Sequence, residues 1–336
     1  MNQGTFILKT IPPFRLDFTA WTLRRRASNV IDRWDGTAYR RVLMIGNAPV
    51  EVAVVQVGTL ESPNLQVAAQ TVASVRDIKH NVTAALERLL GLHVDLAEFY
   101  KQASDDPELH LLAQRFYGMK PPRFASVFEA VINAIACQQL TLTLGIELLN
   151  RLTRKYGSVF AGETGNVYSF PQPENLAALS PNMLRDLGFS RQKGKAIIAL
   201  ARSIAEGSED LEKLESMSDD EATAYLCKLH GIGRWSAEYV LLRGLGRVHI
   251  FPGDDVGARN NLQRWMKVKD SLDYDAVREV LAHRRPYGGL IYFHLLLDRL
   301  AEKGLLRTPK QAKKAPITDC VDEADNESFP ANNPAN

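Results

Sequence analysis

Cysteine is scarce: Cys137, Cys227 and Cys320 are the only three in 336 residues, odd in number and far apart. No CxxC or iron–sulfur spacing occurs, so the chain offers no pattern for a cysteine-ligated metal or cluster. The seven histidines include no HExxH and no paired helical spacing, which argues against a zinc hydrolase. The opening, MNQGTFILKTIPPF, has no basic segment followed by an apolar one, so no secretory signal is expected. No apolar run approaches the roughly 20 residues a membrane helix needs. Repeats of solenoid period are also missing. These absences describe a soluble chain of a reducing, cytoplasmic compartment with no membrane partner.

What is present is an ordinary globular composition, 45% apolar and 24% charged. At roughly 150 residues per domain the length predicts two or three domains, enough to bury a core without disulfide or metal staples. Lys and Arg number 41 against 39 Asp and Glu, a formal +2 that names no partner. The charge is uneven, however. From Asp319 onward there are five acids and no Lys or Arg, so without that segment the remainder carries +7. A moderately basic body favours a polyanionic partner.

The first hundred residues have a strand texture. Phe14–Phe18, Tyr39–Ile45, Val50–Val57 and Leu65–Ala68 are rich in β-branched and aromatic residues, with WDG and GNAP as turns. They predict an antiparallel sheet, with a helix over Trp21–Ile31 on one face. From Asp77 the period becomes helical, placing Ile78, Val82, Leu86 and Leu89 on one stripe. The rest reads as helix broken by Gly and Pro. Phe128–Tyr156 is a long apolar helical stretch ending at a Gly157 cap, and Ser190 caps a helix running to Gly207. The fold class is therefore α+β: a sheet domain over 1–100 and a helical core over 101–308. Within that core, one lobe covers 125–247 and a second covers 101–124 plus 248–308. The segment 309–336 is expected to be a disordered tail.

The most informative segment is LCKLHGIGRWSAEYVLLRGLGRVHIFPGDDVGARN, Leu226 to Asn260. Two helices flank a tight HGIG hairpin, whose Gly231 and Gly233 let the backbone turn sharply and bare its amides at a helix start. Such a start suits an anion. Taken alone, GxG reads rather as an ordinary αα-hairpin. Downstream, FPGDD places Asp254 and Asp255 just before a helix, where either could serve simply as its cap.

Together, LHGIGRWSAEYVLLRGLG and FPGDDVGAR resemble the helix-hairpin-helix DNA glycosylases with a Gly/Pro-rich loop and catalytic Asp. Within these, the chain is similar to the DNA-3-methyladenine glycosylase II family. FEAVINAIACQQL, YSFPQPENLAALSPNMLRDLGFSRQKGKAI, RRPYGGLIYFHLL and, more weakly, PPFRLDF extend the resemblance over nearly everything before about residue 308. It implies a two-lobed helical enzyme that flips a damaged base out of duplex DNA and hydrolyses its N-glycosidic bond. The implied substrates are 3-methyladenine and 7-methylguanine, with hypoxanthine as a further candidate, and the implied state is a monomer.

Residue by residue, the resemblance makes Asp255 the catalytic carboxylate, a fixed anion facing the charge that builds on the deoxyribose. Trp235 stands where bifunctional relatives carry a Schiff-base lysine. Arg234 cannot replace it because a guanidinium stays protonated, so hydrolysis without strand nicking is implied. Trp235, Tyr239 and Tyr287 would form an aromatic wall for an electron-poor base, and Trp21, Thr22 and Arg26 a pocket edge. Thr22 replaces an aromatic of the relative compared, which leaves the pocket's shape open. Gln138, Gln139 and Leu140 fall at the intercalating wedge, with Gln139 at its tip by ungapped alignment and Leu140 the more apolar alternative. Gly231, Gly233 and Arg234 would grip the DNA backbone. No cofactor is required, but the carbonyls of Cys227, Leu229 and Ile232 would hold a monovalent cation. Lys193, Lys195 and Arg24–Arg26 are basic enough to meet phosphates, although such clusters are commonly just solvated. Rival readings are a relative acting on another lesion, a non-catalytic DNA-binding hairpin module, and an inactive damage sensor.

Overall fold

The computed structural model describes residues 2–73, 75–162 and 165–306; the expected tail lies outside them. Five strands, β1 (Asn2–Lys9), β2 (Arg33–Trp34), β3 (Ala38–Ile45), β4 (Ala48–Gly58) and β5 (Pro63–Thr71), form one sheet in the order β1-β5-β4-β3-β2. Every pairing is antiparallel. Val50, Val52 and Val54 of β4 and Leu65, Val67 and Ala69 of β5 point inward at period two. Helices α1 (Leu16–Arg24) and α2 (Ile78–Leu90) pack on the sheet, and α2 buries Val82, Leu86 and Leu89 as its stripe requires.

Two local expectations are corrected. Phe14–Phe18 is not a strand: α1 starts at Leu16, because Leu16, Ala20 and Leu23 share a buried helical face. The helix expected over Trp21–Ile31 stops early, at Arg25, whose φ of 61° is left-handed. The loop beyond is organised by Asn29, whose Oδ1 accepts from the Ile31 and Asp32 amides while its Nδ2 donates to the Arg24 carbonyl.

The helical part continues with α3 (Ala97–Ser104), α4 (Pro107–Arg115), α5 (Val127–Cys137) and α6 (Leu142–Tyr156). After the small hairpin β6 (Val159–Gly162) and β7 (Gly165–Tyr168) come α7 (Pro173–Ala177), α8 (Pro181–Arg185), α9 (Arg191–Ala205) and α10 (Asp219–Leu226). The last helices are α11 (Arg234–Arg243), α12 (Val256–Trp265), α13 (Tyr274–Val280) and α14 (Gly288–Glu302). The long stretch 128–156 is therefore two helices. Gln139 with φ 53° breaks it, Thr141 caps the restart, and a Cβ on Gly145 would lie 2.6 Å from Cys137 Sγ. Only glycine there lets α6 fold back so closely on α5.

Two apolar cores result. One joins the inward sheet face to α2, α5, α6, α9 and α11; the other joins α3, α4, α12, α13 and α14. Helix α5 is the axis of the first, buried from Val127 through Ala136. A buried ion cluster ties the sheet to it: Arg41 of β3 donates to Asp32 at 2.7 Å and to Glu129 of α5, while the Tyr39 hydroxyl also donates to Asp32.

Candidate active site

Between the two cores runs a cleft of about 1290 Å³. The α5–α6 loop, α9 and α11 line one side; α12 and α14 line the other. The caps of four helices, Thr141 of α6, Ser190 of α9, Gly233 of α11 and Asp255 of α12, all border it. Four helix starts on one cavity direct unpaired amides and partial positive charge into it.

The hairpin between α10 and α11 supplies one of them. Gly231 has φ +81°, a conformation that favours glycine. A Cβ on Gly233 would meet nothing within 4 Å, so the α11 amides stand bare at the cleft mouth. The Gly231 carbonyl is held by Gln138, whose Nε2 also donates to Ser236 Oγ, both at 2.8 Å. Gln138 is thus a strut between hairpin and α5–α6 loop, while the exposed Gln139 projects at the loop's tip. Leu140 is half-buried, leaning on the core as well as lining the cleft.

Asp255 does two jobs. Its Oδ1 accepts from the Ala258 amide at 2.8 Å, capping α12, and its Oδ2 accepts from Trp235 Nε1 at 3.2 Å. Burial raises its pKa above the ordinary carboxylate value, against the Ala258, Trp235 and Gly257 hydrogen bonds that stabilise the anion. Asp254 also borders the cleft but is held differently: Arg234 grips both its oxygens, at 2.6 and 3.0 Å, while the guanidinium lies 3.8 Å over the Tyr274 ring. Trp235 and Tyr239, one turn apart, stack at 5.5 Å and 29°.

The segment before Asp255 is held by a residue that sequence reasoning missed. Glu238 of α11 accepts from the Gly253 amide at 3.1 Å and from the Tyr274 hydroxyl at 2.6 Å. Residues 253, 254 and 255 are therefore each tied to an α11 side chain, namely Glu238, Arg234 and Trp235. The only sequence signal was an isolated acid inside the apolar run AEYVLL.

Several expected site residues lie elsewhere. Tyr287 is outside the cleft; it precedes α14 and packs edge-on against Phe99 at 5.3 Å. The aromatic that α14 does present is Tyr292, which lies in the RRPYGGLIYFHLL segment that carried the resemblance but had no role assigned. Trp21 is nearly buried beneath the Arg24 guanidinium and borders a separate groove with Phe18 and Trp34. Thr22 is fully buried, its hydroxyl donating to the Phe18 carbonyl. Arg24 is buried on the backbone carbonyls of Arg26, Ala27 and Trp34, so it is no phosphate ligand. Arg25 is also buried, but it reaches the back of the cleft, where it bonds Tyr239 and Asn133. Arg26 does line the cleft, with its Nε on Thr143 Oγ1. Lys193 lines it too, its ammonium spent on the Ala136 and Gln138 carbonyls at the end of α5; Lys195 is exposed.

Comparison with known proteins places this geometry. Residues 132–286 match the family described as "HhH-GPD superfamily base excision DNA repair protein", and residues 5–126 match the "AlkA N-terminal domain". The chain is similar to the DNA-3-methyladenine glycosylase of Bacillus subtilis, at 27% identity over 86% of this chain and 95% of that one. It is 31% identical to DNA-3-methyladenine glycosylase 2 of Escherichia coli, over 41% of this chain and 48% of the relative. Among solved structures it resembles the 3-methyladenine DNA-glycosylase of Archaeoglobus fulgidus, with a TM-score of 0.76 and 26% identity. That likeness covers 88% of this chain and 98% of the other.

Proposed function

This chain belongs to the HhH-GPD superfamily of base excision DNA repair proteins, with an AlkA N-terminal domain, and we propose that it is a monofunctional glycosylase for alkylated purines in duplex DNA. The observation that carries the reading is Asp255, held by Trp235 beside the Trp235–Tyr239 stack in a cleft bordered by four helix starts. Cleavage moves positive charge onto the deoxyribose, and a carboxylate fixed by two hydrogen bonds stabilises it without reorganising. The same carboxylate activates the attacking water. A base carrying an alkyl cation stacks on the electron-rich indole and phenol and leaves without a general acid.

The Gly231–Gly233 hairpin and the other helix starts take the DNA phosphates. Gln139 at the loop tip fills the space of the flipped base, and Gln138 braces that loop against the hairpin. The hairpin also offers a cation seat. Among the described residues the carbonyls of Cys227 and Ile232 accept no hydrogen bond, whereas that of Leu229 accepts from the Ile232 amide. Oxygen ligands of this kind suit a monovalent cation, which would supply positive charge beside a DNA phosphate. With Trp235 in place of an amine, nothing at that position forms a Schiff base. The protein acts as a monomer on DNA.

The test is chromatography of free bases released from N-methylated duplex DNA by the full chain. Release of 3-methyladenine and 7-methylguanine supports the reading; tight DNA binding with no released base contradicts it.

Glu238 gives a sharper check on the loop. Glu238→Ala frees Gly253 and lets the Asp255 segment drift, so kcat falls about 10- to 100-fold with KM within about threefold. Glu238→Gln can still accept from Gly253 and donate to the Tyr274 oxygen, so it stays near wild type. Single-turnover rates with matched KM values decide; equal loss in both variants would contradict a purely positioning role.

A further inference from the structure

The back of the cleft is more polar than an aromatic sandwich requires. Arg25 Nη1 donates to the Tyr239 hydroxyl at 2.7 Å, and Nη2 donates to Asn133 Oδ1 at 2.6 Å. Because that hydroxyl accepts from Arg25, its own hydrogen is left over, and among the described residues it donates to no acceptor. Tyr292 also lines the cleft, and its hydroxyl makes no hydrogen bond among the described residues. Its ring is fixed edge-on by Phe251 at 5.9 Å and Phe293 at 5.5 Å.

Behind this wall stands a second guanidinium. Arg243 is fully buried among the rings of Phe124, Tyr239 and Phe293, and among the described residues its one hydrogen bond runs to the Thr22 carbonyl. Neither Arg25 nor Arg243 is hydrogen-bonded to a carboxylate. The cleft wall thus brings together two buried guanidinium groups, two phenols and the Asp255 carboxylate, whose charge acts on both phenols.

We infer that the Tyr239 and Tyr292 hydroxyls, backed by Arg25, are specificity determinants that read the acceptor edge of an uncharged oxopurine. The inference rests on the proposed glycosylase reading and deepens it. A cationic alkylpurine leaves as a neutral base and needs neither donor. A neutral base has the opposite requirement. When its C1′–N9 bond breaks, the electron pair leaves with the base, which becomes anionic, while the sugar becomes cationic. The groups present suit both charges: phenolic donors and guanidinium charge stabilise the departing base, and the Asp255 carboxylate stabilises the sugar. Water then adds to C1′ and its proton ends on the base, the phenols keeping their own hydrogens. Burial raises both phenol pKa values, which keeps them protonated donors at neutral pH; for Tyr239 the Arg25 and Arg243 charges oppose that rise, and for Tyr292 the Asp255 charge adds to it.

The experiment uses the full chain on two duplexes, one carrying hypoxanthine and one carrying 7-methylguanine. The readout is the ratio of their single-turnover excision rates for wild type, Tyr239→Phe, Tyr292→Phe and Arg25→Met. The ratio is its own control, since damage to the fold lowers both rates together. The expected result is a fall in the hypoxanthine to 7-methylguanine ratio of about 10²-fold in a tyrosine variant, with Arg25→Met in the same direction. Ratios within about threefold of wild type in both tyrosine variants overturn the inference. So does a wild type that releases 7-methylguanine but no hypoxanthine, which leaves the glycosylase reading standing. A wild type that releases neither base overturns both.

Discussion

Asp255→Asn retains DNA binding within about threefold and loses base release by about 10³-fold. The Asp255 carboxylate accepts two hydrogen bonds, from the Ala258 amide and from Trp235 Nε1. Asparagine is as good a helix cap as aspartate, so its Oδ1 still accepts from the Ala258 amide and α12 keeps its start. The variant therefore folds, and removing a half-buried charge does not weaken it. What disappears is the anion facing the developing oxocarbenium, and with it the acceptor for Trp235 Nε1. The loss falls on kcat, because the ground-state complex never used that charge. A pH consequence follows with a fixed sign. Activity requires the ionised form, and burial raises the pKa of Asp255, so the acid limb of the rate profile lies above the ordinary carboxylate range. As pH falls through that raised value activity is lost. In Asp255→Asn this limb is absent from the residual rate. A variant releasing base at near wild-type rates would remove Asp255 from the mechanism.

Arg41→Leu is expected to cost about 3–5 kcal/mol of folding stability, read by urea denaturation at pH 7.5. Arg41 is 2% exposed, and its two partners, Asp32 and Glu129, are 2% and 3% exposed. Leucine fills part of the volume but leaves two carboxylates without their cation. Asp32 retains the Tyr39 hydroxyl; Glu129, whose pKa burial already raises, loses its guanidinium partner. The pH dependence has a definite sign. An unpartnered buried carboxyl has a folded-state pKa above its unfolded value, so its penalty is present above the folded value and disappears below it. The deficit of Arg41→Leu therefore shrinks as pH falls toward 5. Adding Glu129→Gln recovers part of it at pH 7.5. A loss below about 1 kcal/mol would mean that the cluster does not hold the sheet to α5.

How much of this was readable without coordinates depended on whether a local signal existed. The β3 and β4 strands announced themselves through β-branched and aromatic content between turn residues, and the cap at Asp255 through its place just before Val256. The break at 138–141 had no glycine or proline to mark it. It is imposed from across the fold, by the approach of Gly145 to Cys137 and by the strut from Gln138 to the hairpin. The RRR run of 24–26 read as a solvated basic face, yet two of its members are buried, since the left-handed turn at Arg25 aims its side chain inward. Tyr287 and Tyr292 are five residues apart on one apolar segment, and only the packing of α14 decides which faces the cleft. The capping place of Asp255 was legible from the FPGDD motif, and its proposed catalytic role from the resemblance; the polar wall of the cleft was not, because its members come from the end of α1, from α11 and from α14.

The most direct measurement of the central claim is a strand assay on an end-labelled duplex with a single 7-methylguanine, run under single turnover and divided into alkali-treated and untreated halves. Base hydrolysis by a monofunctional site predicts a fragment at the lesion only after alkali, formed at the rate of base release. A fragment without alkali would contradict hydrolysis without lyase action, and no fragment in either half, despite bound DNA, would contradict the glycosylase itself.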